Sequence, residues 1–279
     1  MRRVSFFVAC CVRPDVSLAP LASRAIGTGP PIVLVHGDFT NGTLAWTGQV
    51  ADLGRDFQLI ALDRRGFGMS PREPRPYTIA DDAADVATLA ADCGLSTFHL
   101  IGHSYGGLVA IELARTMPDA ILSLHLIEPP YLALLPNDLD VQLLIESLRA
   151  MTQIDKSGDP ERFALAFIVA LAGQDAAERT RTRPFWPAIV AEAMRGMDAE
   201  WPGAYPAKYA RDISIEGPIG VYRGGRSHPG LRAIAGQLAR DIAHARLIDI
   251  DEAGHDVQRA AVPFNAAFRA VVESRTSPR

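Results

Sequence analysis

The stretch Phe98-His99-Leu100-Ile101-Gly102-His103-Ser104-Tyr105-Gly106-Gly107-Leu108-Val109-Ala110 constrains this chain more than any other. It reads as a short apolar strand, a Gly-x-Ser-x-Gly turn and an amphipathic helix running through Arg115. A serine on so tight a strand-to-helix turn adopts a strained backbone, and the residues two before and two after it must lack a Cβ. Gly102 and Gly106 meet that demand, and Gly107 lets the helix pack close. The turn lifts the Ser104 hydroxyl above a sheet and aims a helix N-terminus at any anion formed there.

Around this centre the chain has room for one large α/β domain or one domain with an insertion, at 279 residues and 48% hydrophobic. A net charge of −4 with no basic stripe argues against nucleic acid as the main partner. No run of eighteen apolar residues occurs, so no membrane span is expected. The three cysteines, Cys10, Cys11 and Cys93, fit neither metal spacing nor a disulfide framework. They suit a reducing compartment, and a cytoplasmic location is expected. Residues 1–15 are an N-terminal extension that loosely imitates an export signal, with Arg2-Arg3 ahead of a short apolar run. Arg13 and Pro14 end that run at once, which favours an extra edge strand or a plain extension.

In order, Val16–Ala19 and Leu21–Ile26 are expected as opening strands, and Ile32–Val35 as a strand buried on both faces. His36-Gly37-Asp38-Phe39 follows, then a helix over about 44–53. Phe57–Leu62 is the next strand, ending in Asp63-Arg64-Arg65-Gly66-Phe67-Gly68. Thr78 with Asp81 three residues on is a capping-box start for a helix whose inner face carries Ile79, Ala83, Val86 and Ala90. After Ser104 and its helix, the strand Ile121–Ile127 closes on Glu128-Pro129-Pro130. Such alternation implies a mostly parallel sheet, with chemistry at the carboxyl ends of the strands.

From Tyr131 to Glu216 the rhythm turns helical, with helices expected over 137–151, 159–172 and 188–197. Strand Ile219–Tyr222, a helix over about 229–239, strand Ala245–Ile250, the loop Asp251–His255 and a helix Pro263–Val272 complete the chain. The division is therefore an extension at 1–15, a core from 16–130 and 217–279, and a helical cap at 131–216 inserted after the sixth strand.

His36-Gly37, Asp63-Arg64-Arg65-Gly66-Phe67-Gly68, Gly102-His103-Ser104-Tyr105-Gly106 and Gly254-His255, taken in that order, resemble the α/β-hydrolase superfamily over about residues 16–273. The resemblance implies the α/β-hydrolase fold, a mostly parallel sheet with flanking helices, and Ser104 as nucleophile. A free hydroxyl needs a base, and of seven histidines only His255 occupies the late Gly-His loop where the family keeps it. The acid that orients the base commonly follows the strand at 219–222, yet 222–232 holds three arginines and no carboxylate. Glu128, at the neighbouring strand end and a methylene longer than Asp, is the replacement. Asp249 and Asp251 are its rivals, expected to face solvent or arginine.

This layout is most similar to the lactonases that open zearalenone, which also place Glu after the sixth strand and carry a Pro-x-Trp element, here Pro184-Phe185-Trp186. Those enzymes lack the His-Gly turn present at His36-Gly37. The resemblance implies backbone N–H groups of Tyr105 and Asp38 as oxyanion donors. The Asp38 side chain is expected to turn away and bond the loop 40–43, because a carboxylate beside an oxyanion opposes its formation. Asp63 and Arg65 are read as structural. Phe39 and Trp186 are the candidate substrate contacts, with Trp201, Phe163 and Met194 as further cap residues; Pro184 and Pro187 are taken to exclude Trp186 from a regular helix. The expected function is hydrolysis of a medium-sized hydrophobic ester or lactone without metal or organic cofactor. Cleavage of a carbon–carbon bond in a β-diketone or ring-fission product, and a small-molecule receptor on the same fold, use the same residues. The oligomeric state is open.

Overall fold

The computed structural model describes residues 21–72, 77–155, 158–194 and 202–274. Residues 1–15, the strand expected at Val16–Ala19 and Trp201 lie outside the described residues.

The sheet has strands β1 (Ser23–Ile26), β2 (Pro31–Val35), β3 (Gln58–Leu62), β4 (Phe98–His103), β5 (Ile121–Ile127), β6 (Ile219–Gly224) and β7 (Ala245–Ile250). Their spatial order is β1-β3-β2-β4-β5-β6-β7. Only β1 runs antiparallel, against β3. Glu128 thus follows the fifth described strand.

Strand periodicity explains the apolar runs. In β2, Val33 and Val35 point into one core and Ile32 and Leu34 into the other. On the first face pack α3 (Ile79–Asp92), α4 (Tyr105–Thr116) and α9 (Pro229–Asp241), through Val86, Leu108, Ile111, Ile234 and Leu238. On the second pack Trp46, Phe264 and Phe268, the last two from α10 (Ala261–Glu273). A strand buried on both faces has no polar side to display, hence the continuous Val/Ile/Leu sequence. The capping box at Thr78 and Asp81 is present: each side chain accepts from the other residue's backbone N–H, at 3.1 and 2.8 Å.

The helix expected over 44–53 is instead two short ones, α1 (Gly42–Ala45) and α2 (Thr47–Asp52). The break falls at Trp46, which is wholly buried with φ −119° and ψ 19°. Between β5 and β6 the described residues contain helices and no strand: α5 (Leu139–Thr152), α6 (Pro160–Ala172), α7 (Gln174–Arg181) and α8 (Trp186–Ala193). The sequence does not announce α7, whose only buried residue is Ala177 and which therefore carries no apolar stripe. Trp186, expected outside any regular helix, is the first residue of α8. Pro187 sits in the first turn, where a missing N–H costs no intrahelical bond. No described helix is long and apolar enough to cross a membrane.

Candidate active site

Strand β4 ends at His103 and α4 begins at Tyr105, which leaves Ser104 alone on the turn at φ 52° and ψ −125°. A non-glycine residue in that region is strained by about 1–3 kcal/mol and persists only when its surroundings fix it. The glycines do so. A Cβ at Gly102 would sit 2.4 Å from the Gly106 carbonyl oxygen, and one at Gly106 would sit 2.4 Å from that of Val35. The Ser104 N–H also donates to the Ile127 carbonyl (2.8 Å), so the turn is tied to the end of β5.

Glu128 comes next on that strand end, itself at φ 41° and wholly buried. Its backbone N–H donates to the Tyr222 carbonyl (3.2 Å), and its Oε1 accepts from the Gly224 N–H (2.7 Å). Its Oε2 lies 2.8 Å from Nδ1 of His255, which stands on the loop after β7. A buried carboxylate needs such partners on both oxygens. The opposite ring atom of His255, Nε2, is buried and has no hydrogen-bond partner among the described residues. The His255 carbonyl accepts from Nε2–H of His103 (3.1 Å), and burial, with His255 beside it, pushes the His103 ring down to about 3. His103 is thus a neutral structural donor behind the base.

Phe39, Ser104 and Glu128 are three of the four described non-glycine residues with positive φ, the other being His244. Backbone strain therefore gathers at the carboxyl ends of β2, β4 and β5, where the proposed chemistry also lies.

The rival acids stand elsewhere. Asp249 is partly exposed and accepts from Arg223 through Nε (2.7 Å) and Nη2 (3.3 Å), and Asp251 is exposed. Asp63 accepts from the N–H groups of Gly42 (2.8 Å) and Met69 (2.9 Å), and Arg65 pairs with Asp85 at 2.8 Å. Both hold turns together.

The oxyanion turn departs from expectation at one side chain. Asp38 does turn away, but its Oδ1 accepts from Arg64 Nη1 (2.9 Å) and not from the loop 40–43. That loop already has its acceptors: Asn41 Oδ1 takes the N–H groups of Thr43 and Leu44, and Asp63 takes that of Gly42. His36 is wholly buried, and its Nε2 accepts from the Arg64 N–H (2.8 Å), so Nδ1 carries the proton and donates to the Gly37 carbonyl (2.6 Å). Burial first, then the Arg64 charge, keeps this ring neutral, well below the usual histidine range. Tyr105 opens α4, so its N–H is one of the helix's orphan donors.

Phe39 stacks on Phe163 and Phe167, with ring centroids 5.4 and 4.0 Å away, in an apolar cluster that also holds Met151, Trp186 and Ile189. Trp186 is 8% exposed, and its indole N–H reaches Glu161 Oε1 at 3.4 Å. Phe39 and Trp186 thus share one cluster, while Met194 is only half-buried.

Two buried charged residues escaped sequence reasoning. Arg64 was placed only in a turn, and Asp82 and Glu192 were not singled out. Asp82 sits three residues after Ile79 and four before Val86 on the inner face of α3, and Glu192 three after Ile189 on α8. A carboxylate interrupting an apolar stripe is the signal that would have found both. Among the described residues, no group of three or more His, Cys, Asp or Glu could hold a metal ion.

Comparison with known proteins agrees with this architecture. Residues 30–259, which include Ser104, Glu128 and His255, match the model of the alpha/beta hydrolase fold family. A putative carbamate hydrolase RutD from Enterobacter cloacae is 32% identical over 97 residues, 34% of this chain and 36% of the relative. A pimeloyl-[acyl-carrier protein] methyl ester esterase from Aeromonas salmonicida is 41% identical over 100 residues, 35% of this chain and 37% of the relative. The chain thus spans little more than a third of the length of these curated relatives. The crystal structure of a hydrolase from Pseudomonas aeruginosa PA01 superposes with a TM-score of 0.68 at 25% identity, covering 97% of each chain. On the family match and on its own topology, this chain belongs to the α/β-hydrolase fold family.

Proposed function

We propose that this protein hydrolyses a carboxylic ester or lactone of medium size and apolar character through an acyl-enzyme on Ser104. The observation that carries the reading is the 2.8 Å contact between the buried Glu128 carboxylate and His255 Nδ1, with Nε2 of the same ring unpartnered. A carboxylate on Nδ1–H fixes the tautomer that leaves Nε2 bare and able to accept a proton.

In this scheme His255 Nε2 takes the Ser104 proton as Oγ attacks the carbonyl carbon. The tetrahedral oxyanion is held by the N–H groups of Asp38 and Tyr105. His255 then passes its proton to the departing alcohol oxygen, and water repeats the sequence to release the acid. Each oxyanion donor is worth about 3–4 kcal/mol in comparable sites. Glu128 stabilises the imidazolium without itself accepting a proton. The cap cluster of Phe39, Phe163 and Trp186 gives the apolar surroundings that favour a hydrophobic acyl or alcohol group. Ester chemistry also agrees with the Aeromonas relative, named a methyl ester esterase, over the part that matches.

The test is labelling with a fluorophosphonate followed by peptide mapping, with turnover on ester, lactone and β-diketone panels. Modification at Ser104, loss of labelling in Ser104→Ala, and turnover of esters or lactones are expected. Labelling elsewhere, or turnover confined to the diketones, would overturn the proposal; tight ligand binding without turnover would favour a receptor.

A further inference from the structure

Arg64 is the one guanidinium with no solvent exposure among the buried residues of the core, and it touches every part of the oxyanion turn. Its backbone N–H donates to His36 Nε2 (2.8 Å), and His36 in turn holds the Gly37 carbonyl (2.6 Å). Its Nη1 binds the Asp38 carboxylate at 2.9 Å, and its Nη2 binds Asp82 of α3 at 3.2 Å. Its Cζ lies 4.3 Å from the centre of the Tyr105 ring. Asp38 and Tyr105 are the residues whose N–H groups form the proposed oxyanion hole.

We propose that Arg64 is a positioning residue that fixes both oxyanion donors at once, gripping one by its carboxylate and the other by its ring, with Asp82 as the anchor. The inference rests on the catalytic reading given above. Geometry and charge both favour it. A planar fork can hold two carboxylates and still lie against an aromatic face, which an ammonium cannot do. A carboxylate next to a nascent oxyanion would slow its formation, but one paired with a guanidinium has its charge offset. The pair thus explains how an aspartate is tolerated at a donor position. Burial opposes the Arg64 charge, yet Asp82 and Asp38 together more than offset it, so the group stays charged at any working pH.

Two opposed effects make Asp38→Asn decisive. If Asp38 were merely a bystander charge, its neutralisation would leave kcat unchanged or raise it. If the ion pair positions the amide, the same change loosens the turn and lowers kcat by about ten- to a hundredfold, a fraction of the loss known for deleting a donor, with KM unchanged. Binding of a trifluoromethyl ketone, whose hemiketal oxygen occupies the oxyanion site, is expected to weaken by the same factor, while binding of an unreactive ether analogue does not change. Arg64→Lys is expected to act in the same direction. The double variant is expected to be no slower than the slower single one, because both break one contact. Asp38→Asn preserves side-chain size and leaves Asp82 to pair with Arg64; should Arg64→Lys not fold, Asp38→Asn and Asp38→Ser carry the test. Unchanged or raised kcat in folded Asp38→Asn, or losses that multiply in the double variant, would overturn the positioning role. Full turnover in Ser104→Ala would instead overturn the catalytic reading and the positioning role with it.

Discussion

Glu128 and His255 are 127 residues apart in sequence and meet at 2.8 Å, Oε2 to Nδ1, at the ends of β5 and of the loop after β7. The carboxylate is wholly buried, and its second oxygen is taken by the Gly224 N–H. Replacing it by an amide keeps the shape but lets the imidazole adopt the wrong tautomer. Glu128→Gln is therefore expected to lower kcat by roughly a thousandfold or more, by analogy with the same change in other triads, with KM little altered. Asp249→Asn breaks only a partly exposed pair with Arg223, of the kind worth about 0–1 kcal/mol, and should leave kcat as it is. Steady-state kinetics on the two variants decides between these acids, and the reverse pattern would reassign the role to Asp249.

Glu192 joins the cap to the core. Its Oε1 accepts from Asn41 Nδ2 (2.8 Å) and its Oε2 from the Gly68 N–H (3.1 Å), so one buried carboxylate bridges the loops after β2 and β3. Truncation leaves both donors without that partner, and a lost hydrogen bond to a charged group is worth about 1.5–3 kcal/mol. Glu192→Ala is expected to lower the thermal midpoint by several degrees, and Glu192→Gln, which keeps an acceptor, by less. Differential scanning calorimetry checks this; equal midpoints for wild type and Glu192→Ala would remove Glu192 from the account of cap docking.

Much of this arrangement was legible because its causes are local. The Gly102–Gly106 spacing dictates the turn at Ser104 by sterics, and buried parallel strands announce themselves as unbroken apolar runs. The missing carboxylate at 222–232 likewise pointed to Glu128 by its absence. What the sequence could not show is set by contacts distant along the chain. The choice of Arg64 by the Asp38 carboxylate depends on β2 and β3 being neighbours. The polar helix α7 has no apolar stripe to betray it, and Trp186 enters α8 because a proline in a first turn is harmless.

Acid should destabilise the fold through histidines that stay neutral inside it. His103 titrates ordinarily near 6.5 and is held at about 3 in the folded protein, chiefly by burial; burial also lowers His36 and His125 far below the ordinary value. Between pH 6.5 and about 3 the unfolded chain binds the His103 proton and the folded one does not, so stability falls as pH falls through that window. Each such ring contributes a slope of about 1.4 kcal/mol per pH unit. Urea unfolding from pH 7 to 4.5 should show this loss, and His103→Gln should make it shallower by one proton's slope. An unchanged slope in that variant would mean the ring is protonated in the folded state.

Gly224 holds the acid and crowds the base. Its N–H donates to Glu128, and a Cβ on it would lie 2.4 Å from the Gly254 carbonyl oxygen and 2.6 Å from that of Ala253. Those are backbone atoms, so the loop carrying His255 must shift to accept a methyl group. The glycine is required here by close approach, because its φ is not among the positive ones. Displacements of about 1 Å in a catalytic constellation cost on the order of a hundredfold in rate. Gly224→Ala is therefore expected to lower kcat by about that factor and to slow fluorophosphonate labelling of Ser104 in parallel, while the variant still unfolds cooperatively. Wild-type labelling rates in a folded Gly224→Ala protein would show that the loop can move without disturbing His255, and that the contact between positions 224 and 254 does not set the geometry of the base.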